Sequence, residues 1–581
     1  MPSRPASKSR RAFLKSVPAA VAATASATLT AAPAPGASVV PGQAPDPGII
    51  TADTLGAAQQ VIGVNLPVSE RESARPIVVR NRDHYESIRN VALAPEVEPA
   101  FSFRPPRPNT TGTLRTRRIS TLPAVTRKSA SIEDLAFEPV TAIAPLLAAR
   151  QITSTDLTKM YIGRLKRHDP ALICVVTLME SLGLEQAAEA DKEIRAGRYR
   201  GPLHGIPYGI KDLFAAQGAP TTWGAQPYVN QVFDYDATAV TRLREAGAVL
   251  VAKLSTGELA IGDVWFRGRT RNPWNPQQGA SGSSAGPAAA TAAGLVGFSV
   301  GTETGGSIVS PAATCGVVGL RPTYGRISRY GCMTLRWTLD KVGPIARSVR
   351  DASLVLEALH GPDGHDETVP ALPFSWNGRR DIKGLRVGYV EREIRSGEEA
   401  RLAARRPLYE AALEVYRKAG AVPVPITLPE LPASAVYAIL NAEAGAMFDD
   451  LTRRGDHNEL TDKGPNSRAN QLRATRFIPA VEYIRAQRVR TLLLQQMNAV
   501  FETIDVFLSP STSDSMTMTN LTGHPAIVLP GGFLDELPVG IMLTGKLWDE
   551  ATLLRAAAAF EAATDWHTRH PALRDVVTTP A

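Results

Sequence analysis

Cysteine is nearly missing: three thiols, Cys174, Cys315 and Cys332, in 581 residues. The count excludes a disulfide framework and leaves room for one bridge at most. There is no CxxC pair and no cysteine–histidine cluster, so no metal centre is indicated. Histidine is almost as sparse, nine in all, and the one close pair, His567 and His570, falls near the carboxyl end where surface positions are expected. A phosphate-binding loop is missing too, since no GxxxxGK[ST] occurs. The formal charge of +8 suggests a polyanionic partner, yet Arg4, Lys8, Arg10, Arg11 and Lys15 supply five of those charges, leaving +3. Charge therefore gives no indication of nucleic acid. A second basic run, Arg104 to Lys128, has seven Lys/Arg and no acid, but its Pro, Thr and Ser content reads as a solvated linker.

What the chain does have begins at its start. Ser9-Arg-Arg-Ala-Phe-Leu-Lys15 precedes 30 residues without a charge, Ser16 to Pro45. A basic head, a mildly apolar middle and small residues at the end form a signal peptide, and the paired arginines make it the twin-arginine (Tat) type. The middle is too polar and too short for a stable membrane span. Residues 1–36 are thus expected to direct export by the Tat machinery to a periplasm or the medium. Residues 37–130 read as an extension that wraps the main body, with a helix over Ala52–Val61, a second around Arg82–Arg89, and then the basic linker. From 131 to 575 helices alternate with short apolar strands, which predicts an α/β domain with a central sheet flanked by helices.

The densest stretch runs from Gly279 to Thr323. It carries two glycine-rich serine turns, around Ser283 and Ser307, 24 residues apart. Between them an alanine-rich helix, Ala285–Gly294, and a short strand, Leu295–Val300 at its widest, are expected. Gly282-Ser-Ser-Ala-Gly286 matches the GxSxG nucleophile elbow with Ser284 as nucleophile, but that motif needs a strand running into the turn, whereas Asn272–Gly279 reads as loop. Thr304-Gly-Gly-Ser307 suits acyl transfer better: consecutive glycines let the N–H groups of Thr304, Gly305, Gly306 and Ser307 converge on an oxyanion. Ser307 needs a base, and no histidine lies nearby. Lys211, among Ile206, Ile210, Leu213 and Phe214, becomes one if burial keeps it neutral, a shift from about 10.4 to about 7 that costs roughly 4–5 kcal/mol. Its other reading is a lysine that reaches solvent or pairs with Asp212. Ser283 can then relay a proton between Ser307 and Lys211.

Lys211 in GIPYGIKD, Ser283 in the GSS turn and Ser307 in GTETGGSIVSPAATCGVVGLRPT resemble the amidase signature family. The likeness covers roughly Ile132 to His567, through Arg326-Ile-Ser-Arg-Tyr-Gly331, Leu339-Asp-Lys-Val-Gly-Pro344, Asn520-Leu-Thr-Gly-His-Pro525 and Leu537-Pro-Val-Gly540. It implies one large domain with a central mixed β-sheet and a Ser/cis-Ser/Lys triad. Ser307 is then the nucleophile, Ser283 follows a cis peptide bond, and Lys211 is the base. The implied reaction is hydrolysis of a small-molecule carboxylic amide through an acyl-enzyme, releasing ammonia or an amine, with no cofactor and no metal. Glu303 stands where the family commonly has Asp, Val309 where it commonly has Arg, and Ala285 and Pro287 where it is richer in Gly, Ser or Ala. The alternatives are the amidase-like component of the tRNA-dependent amidotransferase, which passes ammonia to a partner chain, and a catalytically silent binding protein. Tyr208, Trp337 and the helical region Ala435–Leu451 are candidates for lining the pocket or for the core.

Overall fold

Eleven strands form one mixed sheet, in the order β1-β3-β2-β4-β6-β5-β10-β11-β9-β7-β8. In chain order they are β1 (Val175–Leu178), β2 (Pro207–Lys211), β3 (Val249–Leu254), β4 (Phe298–Glu303), β5 (Val318–Arg321), β6 (Lys341–Ala346), β7 (Arg386–Val390), β8 (Val422–Ile426), β9 (Val506–Pro510), β10 (Ala526–Leu534) and β11 (Leu537–Gly545). The computed structural model describes residues 49–93, 100, 131–395 and 400–573. The proposed signal peptide and the basic Arg104–Lys128 run lie outside them.

Strands β2, β3 and β4 are parallel neighbours and buried along their whole length. Helices cover both faces there, so these strands read as near-continuous apolar runs rather than alternating ones. β4 also pairs antiparallel with β6, with Glu303 opposite Lys341. The carboxyl ends of β2 and β4 therefore lie side by side, which carries Lys211 and Thr302 to one edge of the sheet.

The helices that matter for the site are α1 (Ala52–Ile62), α2 (Val68–Arg89), α3 (Ser154–Leu172), α4 (Ala285–Ala292), α5 (Val309–Cys315), α6 (Ala433–Ile439), α7 (Arg468–Thr475), α8 (Ala480–Thr503) and α9 (Asp514–Thr522). Every residue of α4 is buried. Its alanines let the helix sit close to the sheet, and at Gly286 even one methyl group would collide with the backbone of Ser255. The Thr153 hydroxyl caps α3 by accepting from the Asp156 N–H.

Three local expectations are corrected. The strand after α4 spans Phe298–Glu303, three residues beyond its expected end, because the polar Thr302 and Glu303 are fully engaged inside the protein. The helix expected to open at Ser181 is capped at Met179, whose side chain makes no capping bond. Asn272–Gly279 is not all loop: Arg271–Asn272 pairs with Asn275–Gly279 in a small separate ladder.

The predicted N-terminal helices are present, and α2 extends well beyond Arg82–Arg89. Its Glu70 carboxylate meets the Asn458 side chain at 2.9 Å, Arg473 at 3.1 Å and His457 at 3.1 Å. Farther along, Arg89 donates twice to Glu482, at 3.0 and 2.6 Å, and the Tyr85 hydroxyl donates to the Phe477 carbonyl at 3.3 Å. α2 is thereby fastened across the layer of α6, α7 and α8.

Candidate active site

Lys211 ends β2 fully buried, and its Nζ donates to Ser283 Oγ at 2.8 Å and Thr302 Oγ1 at 2.9 Å. Both acceptors are neutral, and Lys211 makes no ion pair among the described residues. The adjacent Asp212 is engaged elsewhere: Oδ1 lies 2.8 Å from Lys253 Nζ, and Oδ2 accepts from the Thr222 N–H at 2.8 Å and its hydroxyl at 2.5 Å. The reading in which Lys211 pairs with Asp212 is thus set aside. Burial pushes the Lys211 ammonium down to about 7, only weakly opposed by Cys332, Asp340 and Glu303.

Ser283 follows a cis Gly282–Ser283 peptide bond. Gly282 sits so close to the Gly262 carbonyl that a side chain would not fit. The neighbouring Ser284 N–H donates to the Ser307 carbonyl at 3.1 Å, which ties the two serine turns together. Ser284 itself is structural: its hydroxyl donates to the Thr302 carbonyl at 3.1 Å and accepts from the Thr302 N–H at 3.3 Å. No strand feeds this turn, since the nearest one ends at Gly279. The GxSxG match does not describe a nucleophile elbow.

Ser307 is half-buried and leads into α5. Among the described residues, the N–H groups of Gly305, Gly306 and Ser307 donate to no protein acceptor. Gly306 holds a φ of +110°, which L side chains rarely adopt, and so turns the backbone to group these donors. At Gly305 a side chain would run into the Tyr437 hydroxyl from α6. The helical region expected as pocket lining thus reaches the glycine turn through Tyr437. Tyr208 belongs to the core, stacked on Phe298 at 5.3 Å, and Trp337 is 45% exposed beside Tyr324 in a 540 Å³ cleft lined by Arg329, Arg490 and Trp548.

The turn is braced from behind by charge. Glu303 Oε2 accepts from the N–H groups of Ile308, at 2.8 Å, and Val309, at 2.9 Å, immediately after Ser307. Its Oε1 lies 2.8 Å from Arg321 and 2.9 Å from the Asn520 amide. Burial works to raise the Glu303 pKa, but the Arg321 guanidinium and these hydrogen bonds hold it below its ordinary value. Thr304 is fixed separately: its hydroxyl donates to Asp340 at 2.6 Å, and Asp340 also takes the N–H groups of Leu335 and Arg336. Thr302, Asp340, Arg321 and Tyr437 escape sequence reading, because sheet register and packing bring them in from distant segments.

All three thiols are free, and no group of residues suited to a metal ion occurs among the described residues. No helix there is long and apolar enough to cross a membrane.

The Amidase family model matches residues 156–520. The chain is 37% identical to the amidase-like chain of the glutamyl-tRNA(Gln) amidotransferase of Roseiflexus castenholzii, covering 74% of this chain and 96% of that one. It is 35% identical to the chain of the same name from Methylococcus capsulatus, over 73% of this chain and 97% of that protein. Among solved structures, the peptide amidase of Stenotrophomonas maltophilia superposes with a TM-score of 0.69 at 31% identity, covering 76% of this chain and 99% of the amidase. A bacterial aryl acylamidase gives 0.66 at 25% identity, over 74% and 97% of the two chains.

Proposed function

Because this chain belongs to the amidase signature family, enzymes that cleave C–N amide bonds, we propose that it hydrolyses a carboxylic amide through an acyl-enzyme on Ser307. The observation that carries this reading is the uncompensated Lys211 ammonium held 2.8 Å from Ser283 beside the two serine turns. Neutral Lys211 draws the Ser283 proton, and Ser283 draws the proton of Ser307. Ser307 Oγ bonds to the amide carbon, and the oxyanion is taken up by the N–H groups of the Thr304–Ser307 turn. The C–N bond then breaks as the proton returns from Lys211 through Ser283 to the leaving nitrogen. Water enters by the reverse relay and releases the acid.

The test is a fluorophosphonate probe together with ammonia or amine release from a panel of amides. Wild-type protein is expected to take the label and turn over, and Ser307→Ala to lose both. A label that persists in Ser307→Ala and maps to Ser284 would overturn the assignment.

The curated relatives favour a second reading, a transamidase component, since the Roseiflexus and Methylococcus proteins are both named as chains of glutamyl-tRNA(Gln) amidotransferase. In that case the ammonia passes to a partner chain. The twin-arginine leader supports the free-standing hydrolase, which we propose is exported. Purified alone, the hydrolase turns over without a partner, whereas a transamidase component needs one for full rate. Lys-Lys in place of Arg10-Arg11 is expected to leave the protein in the cytoplasm; unchanged export would defeat the leader assignment.

A further inference from the structure

Two arginines converge beside the glycine turn with nothing anionic to hold. Arg336 is 4% exposed; it donates to the Tyr437 carbonyl at 2.9 Å and to Asn441 Oδ1 at 3.0 Å, while its buried Nε has no partner. Arg468, on α7, is 3% exposed; it donates to Gln471 Oε1 at 3.0 Å, and its buried Nε is also unpartnered. Every side-chain or carbonyl acceptor they use is neutral, and neither forms an ion pair among the described residues. Buried guanidinium groups are ordinarily paired with carboxylates, because an uncompensated charge in the interior is costly.

Their place relative to the chemistry is set by Tyr437. The Arg336 guanidinium lies over the Tyr437 ring, 4.1 Å from its centroid, and the hydroxyl of that ring abuts Gly305. The Arg336 N–H also shares Asp340 with the Thr304 hydroxyl. The two cations are therefore one aromatic ring's length from the oxyanion turn.

Nearby charges do not cancel them. Asp340 faces both, but its oxygens are taken by Thr304 and by the backbone of Leu335 and Arg336. Glu443 binds Thr338 and Tyr483, and a third buried arginine, Arg490, donates to Thr338 and to the Leu521 carbonyl. Three guanidinium groups thus face two carboxylates. Burial and the charge of Arg336 push Arg468 down to about 9.

We propose that Arg336 and Arg468 form a subsite for a carboxylate carried by the amide substrate, a few bonds from the scissile carbonyl. Planar guanidinium donors suit a carboxylate's two oxygens, and the unpartnered Nε groups gain acceptors when it binds. This rests on the amide-cleaving reading above and narrows its substrate class.

The experiment uses the full chain and two matched pairs of amides. Succinamate, with its carboxylate on the acyl side, is compared with its neutral isostere 4-oxopentanamide. N-acetylglycine, with its carboxylate on the amine side, is compared with N-(2-oxopropyl)acetamide. One carboxylate is expected to exceed its neutral partner at least tenfold in kcat/KM, which also tells acyl from amine side. Arg336→Gln and Arg468→Gln are each expected to cut that ratio at least tenfold, mainly through KM. Equal or better cleavage of both neutral amides, or ratios unchanged in the variants, would overturn the subsite and leave the amidase reading standing. Should either variant fail to fold, the wild-type protein decides: succinate or N-acetylglycine must slow fluorophosphonate labelling, and no protection by either rejects the subsite. If no amide is cleaved and no label is taken, the amide-cleaving reading fails, and the subsite with it.

Discussion

Asp212 gives its carboxylate to Lys253, 2.8 Å away, and so leaves the lysine beside it in the chain without a counter-ion. Two lysines on adjacent parallel strands thus have opposite surroundings. Lys253 is paired, whereas Lys211 faces only hydroxyls.

The pH profile follows from that contrast. With Lys211 pushed down to about 7 by burial, kcat/KM is expected to rise with pH through about 7 and then level off. Initial rates from pH 5 to 9 check it. A rate that is flat from pH 5 to 8 would remove Lys211 from the role of base.

Stability should respond with a definite sign. Between about 7 and 10.5 the unfolded chain keeps the Lys211 proton that the folded chain has released, so this group makes the protein more stable as pH rises. Lys211→Met removes the burden, which is a few kcal/mol at pH 6 by the scale of about 1.4 kcal/mol per pKa unit. Part of that gain is offset by the two lost hydrogen bonds. The inactive variant is expected to gain on wild type most at pH 6 and least at pH 10, read as the difference in denaturation midpoint. A difference that does not change with pH refutes it.

Glu303→Gln leaves Arg321 charged, buried and unpaired, at an expected cost of about 3–5 kcal/mol. It also weakens the hold on the N–H groups of Ile308 and Val309, so kcat should fall beyond any loss of folded protein. Urea titration and active-site labelling separate the two effects. Adding Arg321→Met should restore much of the stability and not the rate.

Gly305→Ala pushes a methyl group into the Tyr437 hydroxyl and displaces the proposed oxyanion donors. A fall in kcat of about 10²–10³ is expected. A second change, Tyr437→Leu, clears the space and should recover part of it. No recovery would place the cause elsewhere.

Long periodic helices are legible from the chain, α8 nearly to the residue, because an apolar face repeated over 24 residues has one reading. Strand β6 does not read as one: Lys-Val-Gly-Pro-Ile-Ala contains a lysine, a glycine and a proline, and its burial comes from neighbours on both sides. At the site, Lys211 stands out because a lysine among apolar residues conflicts with the cost of burial. Thr302, 91 residues later, cannot be paired with it until sheet register places β2 beside β4. Arg336 and Arg468 look like ordinary surface cations in sequence. Only packing shows that each is enclosed with a nitrogen unpartnered.

The anchoring of α2 has a consequence for how the molecule is made. Glu70 binds Arg473, 403 residues later, and Arg89 binds Glu482, 393 residues later. On a growing chain α2 leaves the ribosome long before its partners exist. Contacts of such separation close late, because the loop entropy must be met first. The layer that presses Tyr437 against Gly305 is therefore completed by a segment synthesised at the start, and assembly of the cleft waits for both ends of the chain.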